Sequence, residues 1–429
     1  MKRIITSLAL AALSVATVSA LDVSARVYMS GSLADGYHVD NGSEKGNPWN
    51  ALTVNNQLQK DDDAIQLSMS SEMAGASFNI FYRYGGSSKV SNASNEGESN
   101  SPLGVRSAVL WFKPFQMLKI SVGEVGQYLY TEQLDWWRDS TGVSYAQWRN
   151  WDGRYSNQTG LEEKGIQLEL TPIEGLTWQI GAGATGYNDD NPENAISFFS
   201  NTWDGEKTYY QWGSTVKYQI TDEISAGVGY RDNGHTTYEV DSSDGNWKES
   251  RGRKIITTGI DFGNAWAKPY YMFLQPRFCI ERDTQEAGEW TLDGICFDNY
   301  FMYRTGNWKF EARLPVTLRF TGEDYDPNYF DYEVKAAYDL NDTFTPYLKL
   351  ASDHAWKAEI YPICLGSEEG YRIQDTFFVD VEAGTKMQFG AAEIYTALEF
   401  YTTPVYVDGA KYSDIWYGWA IPFSCSVKM

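Results

Sequence analysis

What the chain lacks narrows it before any motif is read. Past its first twenty residues it has no apolar run near the roughly 20 residues that a helix needs to cross a bilayer, so a helical membrane protein is excluded. Only three histidines occur, His38, His235 and His354, with no helical metal-binding pair and no nucleophile elbow. Asp353 beside His354 is a single dipeptide, and the reading is a non-enzyme without a cofactor. Basic residues are also in short supply, 35 Lys and Arg against 57 Asp and Glu, a formal charge of -22. That balance argues against nucleic acid as a partner and suits a surface or pore that attracts cations.

What is present begins with export. Lys2 and Arg3 precede an apolar run from Ile4 to about Val18 and the small triplet Val18, Ser19, Ala20, the pattern of a secretory signal cleaved after Ala20. Residues 1–20 are therefore a signal peptide and 21–429 one mature domain, whose charge without Lys2 and Arg3 is -24. In the mature chain the stretch from Trp308 to Leu340 stands out. Trp308, Phe310, Ala312, Leu314, Val316, Leu318 and Phe320 alternate with Lys309, Glu311, Arg313, Pro315, Thr317 and Arg319. After a short polar break, Phe330, Tyr332, Val334, Ala336, Tyr338 and Leu340 alternate with mostly charged residues. A period of two over that length is a strand with one apolar and one polar face, long enough at a tilt to span a bilayer. The mean hydropathy of -0.45 does not oppose this, because a barrel needs apolar residues only on its outward face.

The same alternation predicts about 18 strands, with 16 as the alternative: 21–33, 63–72, 76–84, 103–113, 117–126, 161–171, 176–187, 208–220, 224–233, 254–262, 268–281, 295–304, 308–320, 329–340, 344–353, 374–384, 391–402 and 413–429. Short turns such as 73–75, 173–175, 221–223, 305–307 and 341–343 alternate with long polar loops such as 34–62, 85–102, 127–160, 188–207 and 354–373. All long loops at one end is the arrangement of an up-and-down membrane barrel with both termini on the side of the short turns. Tyr82, Tyr84, Trp111, Trp178, Tyr230, Trp308, Phe320, Tyr338 and Trp419 fall in the apolar register near strand ends, where rings sit at a membrane interface. The fold class is thus all-β, a transmembrane antiparallel barrel in outer-membrane lipid.

With its signal peptide, its short-turn and long-loop rhythm and its final strand from Ile415 to Met429, the chain resembles the porin-type outer-membrane barrels of diderm bacteria. It departs from them in ending on Met429, with Phe423 six residues earlier. The resemblance implies a passive diffusion channel for small hydrophilic solutes, commonly a homotrimer, whose third external loop folds into the lumen. That loop here is 127–160, with Glu132, Asp135, Arg138, Asp139, Arg149, Asp152 and Arg154 among four tryptophans. Basic residues in the lumen register that could face it are Arg26, Arg106, Arg231, Arg277, Arg304, Arg313 and Arg319. An ordinary wall salt bridge, such as Arg319 with Asp331, is the competing reading for each.

Lumen-register aromatics, Tyr28, Phe112, Tyr271, Phe273, Tyr300, Tyr395, Tyr401 and Trp416, offer an alternative, a sugar-selective channel with rings stacking on sugar faces. A surface adhesin using the barrel as a platform, and a soluble glycan-binding β protein, are the rivals from other classes. Asp189, Asp190, Asn191 and Glu193, and Asp324, Asp326 and Asn328, supply hard oxygen ligands of the kind calcium takes, with solvated acidic loops as the plainer reading. Of four cysteines, Cys279 and Cys296 flank the loop 282–294 in the same register, so hairpin pairing places them opposite each other as a disulfide.

Overall fold

The computed structural model describes residues 20–40, 45–47, 49–54, 64–82, 103–127, 129–130, 164–183, 200–202, 207–209, 211–232, 237–240, 247–264, 267–283, 290–314, 316–320, 328–356, 358–360, 371–373, 376–404 and 415–428. Among them nearly everything is strand, and one antiparallel sheet of 21 segments holds the molecule together. Three strands of that sheet are each in two pieces along one neighbour, so the segments make eighteen strands in the described residues. Trp49–Val54 and Ala64–Ser70 both pair with Ala20–Tyr37. Ile224–Asp232 and Thr237–Val240 both pair with Trp247–Gly263. Trp308–Arg313 and Val316–Arg319 both pair with Thr291–Thr305. The last interruption falls between Arg313 and Val316.

Sequence neighbours pair throughout, and the ring of pairings returns to its start. Ala20–Tyr37 pairs on one side with Ala64–Ser70 and on the other with the final strand, Ile415–Lys428, from Arg26 opposite Lys428 to Tyr37 opposite Gly418. Closure removes the open edge that a sheet of this width would otherwise present.

At one end the strands are joined by turns of a few residues. Gly175 (φ 79°) and Gly306 (φ 55°) take up the left-handed conformation that two of these turns require. In another, Asn341 Oδ1 accepts from the backbone N–H of Thr343 and of Phe344, both at 2.9 Å. Several of these turns are also tied to the next strand. Lys113 N donates to Met73 O, Thr171 N to Met117 O, Gln219 N to Gly175 O and Asp339 N to Asn307 O. One turn is displaced from its predicted place: it occupies Ser71 to Met73, and Gly75 lies within the Ala74–Tyr82 strand. His354, expected in a loop, belongs to the Phe344–Trp356 strand.

The two faces of the ring differ in chemistry. Outward positions are apolar and open: Leu274 (49 %), Leu348 (54 %), Phe400 (52 %) and Tyr417 (58 %) are all exposed. An apolar band of this size on a protein in water would be an aggregation surface, whereas in lipid it is the solvated face. Trp178, Trp308, Phe320 and Trp419 sit on this outer face as expected for interfacial rings. Inward positions carry the buried polar and charged residues.

Candidate functional site

The inner wall is built by parity. On Tyr270–Asp283 the inward residues are Tyr271, Phe273, Gln275, Arg277 and Cys279, all buried, while Met272 and Leu274 between them are exposed. Pairing then places charge beside charge. Arg277 Nη2 lies 3.4 Å from Asp298 Oδ2, and Arg313 Nε lies 3.4 Å from the other oxygen of the same carboxylate. Further along, the Tyr300 hydroxyl donates to Glu311 at 3.0 Å, and Lys309 reaches Glu311 at 3.1 Å. On the next strands the Lys349 ammonium contacts Glu382 and stands 3.9 Å from Asp380, and the Tyr347 hydroxyl donates to Glu382. Lys349, Asp380 and Glu382 are all fully buried. Buried charges persist only when paired, and removing one member of such a pair costs about 3 to 5 kcal/mol.

A wall facing an empty lumen would not bury its side chains this completely, and on one sector the cover is visible. Val125, Gln127, Leu129 and Tyr130 are all buried, and Leu129 and Tyr130 pack against strands that are not neighbours of their own. Tyr130 N donates to Gln275 Oε1 at 3.3 Å, its hydroxyl donates to Gly259 O at 3.5 Å, and its ring stacks on Phe273 with centroids 6.1 Å apart. Lys217 Nζ donates to Leu129 O at 3.3 Å and sits 4.5 Å from the Tyr130 ring centroid. Ser225 Oγ is 3.1 Å from the Tyr130 hydroxyl and also bonds Asp261.

Two glycines make room for this docking. A Cβ on Gly227 would stand 2.4 Å from Leu129 Cδ2, and one on Gly259 would stand 2.7 Å from Tyr130 Cε2. Burial pushes the Tyr130 hydroxyl up to about 12, with the Ser225 contact acting in the opposite direction, so it stays a neutral donor at any physiological pH.

Of the residues singled out in the sequence, Arg231, Arg277 and Arg313 are inward and buried, and Arg277 and Arg313 share Asp298. Tyr271, Phe273 and Tyr300 form one buried cluster with Leu129, Tyr130 and Met302, packing as wall and loop support. Tyr395 packs against Ala337, Tyr347 and Ala397, and Tyr401 is inward and buried. Glu132, Asp135, Arg138, Asp139, Arg149, Asp152 and Arg154 lie outside the described residues, as do Asp189, Asp190, Asn191, Glu193, Asp324 and Asp326. The side chains of Arg26, Tyr28, Arg106, Arg319 and Trp416 are likewise outside them.

Two expectations are corrected. Phe112 faces outward, 39 % exposed and paired with Ile120, while Trp111 faces inward opposite Ser121. The cause is a register skip on the preceding pair, where Ser107 meets Asn79 and Val105 meets Ile80. One extra residue in a strand reverses the facing of everything beyond it. Cys279 and Cys296 are not joined, and they are not directly opposed: Cys279 pairs with Gly294 and Cys296 with Arg277. Diagonal neighbours stand about 7 to 8 Å apart, beyond the reach of an unstrained disulfide. Arg277 Nη2 lies 3.6 Å from Cys296 Sγ instead.

Sequence reasoning missed the Lys349, Asp380 and Glu382 cluster and, within the connection expected to fold inward, the residues on which Leu129 and Tyr130 dock. The first was legible as parity, since Lys349, Asp380 and Glu382 alternate with apolar residues. The second had no local signal, because the glycines that admit the loop are far from it in sequence.

No family model and no curated protein matches the chain. Among solved structures it is similar to a BenF-like porin from Pseudomonas fluorescens Pf-5, at 8 % identity over 96 % of this chain and 100 % of that one, with a TM-score of 0.49. It is similar also to OpdL of Pseudomonas aeruginosa (9 % identity, 96 % and 99 % covered, TM-score 0.48) and to OccAB2 of Acinetobacter baumannii (12 %, 96 % and 99 %, 0.47).

Proposed function

We propose that the chain is an outer-membrane channel through which small hydrophilic solutes diffuse passively, with a preference for cations and with the connection 127–160 as its constriction. The observation that carries this reading is the ring of strands, apolar outside and charged inside, with Leu129 and Tyr130 docked on its inner wall at Lys217 and Gln275. A spanning wall supplies a path, and a segment anchored inside it narrows that path without sealing it by necessity.

The preference for cations rests on where the acidic excess is carried. In the described wall, basic and acidic groups largely meet in pairs such as Arg277 with Asp298 and Lys349 with Glu382. The connections 184–199, 241–246, 284–289, 321–327 and 361–370 hold acidic residues and no Lys or Arg. Charge gathered at one mouth raises the local concentration of counter-ions there.

Purified protein in a planar bilayer tests both parts. Regular open steps are expected, with a reversal potential in a salt gradient that reports cation preference and weakens as salt is raised. Absence of open steps would favour the adhesin platform, and anion preference would mean that the wall arginines govern the narrowest point.

A further inference from the structure

Near the short-turn end the inner wall carries a flat aromatic surface with two ammonium groups beside it. Trp111 faces inward and lies directly on Gly75, where a Cβ would stand 2.5 Å from the indole Cε2 and Nε1 and 2.6 Å from Cζ2. One side of the ring is thus seated in a dent in the wall, and the exposure the ring retains is toward the lumen. Lys113 Nζ and Lys119 Nζ each stand 5.7 Å from its centroid. Elsewhere Lys254 stands 4.0 Å from the Trp290 centroid, Lys335 4.6 Å from that of Tyr347 and Lys386 5.5 Å from that of Tyr395.

The two lysines also differ from their counterparts in charge compensation. Five inward lysines, Lys217, Lys254, Lys309, Lys349 and Lys386, each have a carboxylate within 4.0 Å. Among the described residues neither Lys113 nor Lys119 has one at that distance. The nearest candidate across the ladder, Glu169 opposite Lys119, accepts instead from Gln179 Nε2 at 2.8 Å. In a chain with this excess of acid, two ammonium groups with no carboxylate within 4.0 Å among the described residues are conspicuous.

We propose that Trp111, Lys113 and Lys119 form a solute subsite for a sugar ring bearing an anionic group, phosphate or carboxylate. The apolar face of a pyranose covers the indole, and the anionic group takes the two ammonium groups, supplying the partner that the wall does not. This rests on the channel reading and adds to it a solute class bound at the short-turn mouth, away from the acidic long connections.

The test is block of ionic current through the full chain in a planar bilayer, with glucose 6-phosphate, glucuronate, glucose and inorganic phosphate as probes. Both anionic sugars, added on the short-turn side, should half-block at a concentration about 10-fold below that of glucose or inorganic phosphate, a factor that corresponds to one well-made contact. Trp111→Ala should remove that advantage and leave block by inorganic phosphate unchanged, whereas Trp111→Phe should keep most of it. Lys113→Gln with Lys119→Gln should bring the anionic sugars to the level of glucose. If only glucose 6-phosphate blocks, the site still stands with phosphate as its anion, and if only glucuronate does, it stands with carboxylate. Equal block by all four probes, or block that survives both variants, overturns the site while open steps keep the channel. Wild-type protein with no open steps overturns both.

Discussion

Gly259→Ala should loosen the constriction without touching the strands. The added methyl would sit 2.7 Å from Tyr130 Cε2 and 3.0 Å from Cδ2, while the nearest backbone atom, Leu274 O, is at 3.4 Å. The sheet therefore accepts the methyl and the tyrosine ring does not. That ring cannot slide, because Phe273, Lys217, Ser225 and Gln275 hold it on other sides. Overpacking of this kind costs about 1 to 3 kcal/mol. At about 1.4 kcal/mol per decade, the undocked population of the segment rises roughly 5- to 150-fold. The assay is single-channel conductance together with proteolysis of the folded barrel. Larger or more variable open steps and faster cleavage within 127–160 are expected, with the thermal transition of the barrel little changed. Tyr130→Ala should give the same phenotype, and adding Gly259→Ala to it should do almost nothing more, since the clash is with a ring no longer there. Additive effects of the two substitutions, or conductance unchanged in both, would refute the idea that Tyr130 anchors the constriction.

Val334→Arg, on the outer face in mid-strand, should cost roughly 2 to 4 kcal/mol in a membrane folding titration, while Gln179→Arg on the inner face should cost far less; equal costs would contradict the assigned faces. Lys349→Met leaves Glu382 and Asp380 buried without their cation, so a loss of about 3 to 5 kcal/mol is expected in the same titration, partly restored by Glu382→Gln in the same chain. At the short-turn rim, hydrogen bonds from Lys268 and Tyr270, and then the Lys268 charge, hold the Glu223 carboxyl below its ordinary range. A depressed folded value contributes stability above the ordinary carboxylate range and loses it as pH falls through the folded value. The thermal midpoints of wild type and Glu223→Gln should accordingly differ at neutral pH, converge in acid, and converge also in high salt because the pair is exposed. A difference that persists in acid would place its origin elsewhere.

The sequence by itself determined the strands and, roughly, their number. Alternation is a local property, since a strand in a barrel must place every second residue in lipid, and runs such as Trp308 to Phe320 could meet that demand in no other way. Short turns and long connections were equally local, being stretches where alternation stops. Tertiary structure alone decided what lies across from what. Phe112 and Trp111 exchanged faces because of a skip opposite Asn79 and Ile80, and nothing in that strand's own composition marks the skip, since both of its faces carry apolar residues. Cys279 and Cys296 came out diagonal because a long connection does not fix register as a tight turn does. The docking of Tyr130 on Gly259 depends on closing the ring, which brings together residues 129 positions apart in sequence. Pairing of that range is set by the sum of many contacts around the barrel, so no short window of sequence contains it.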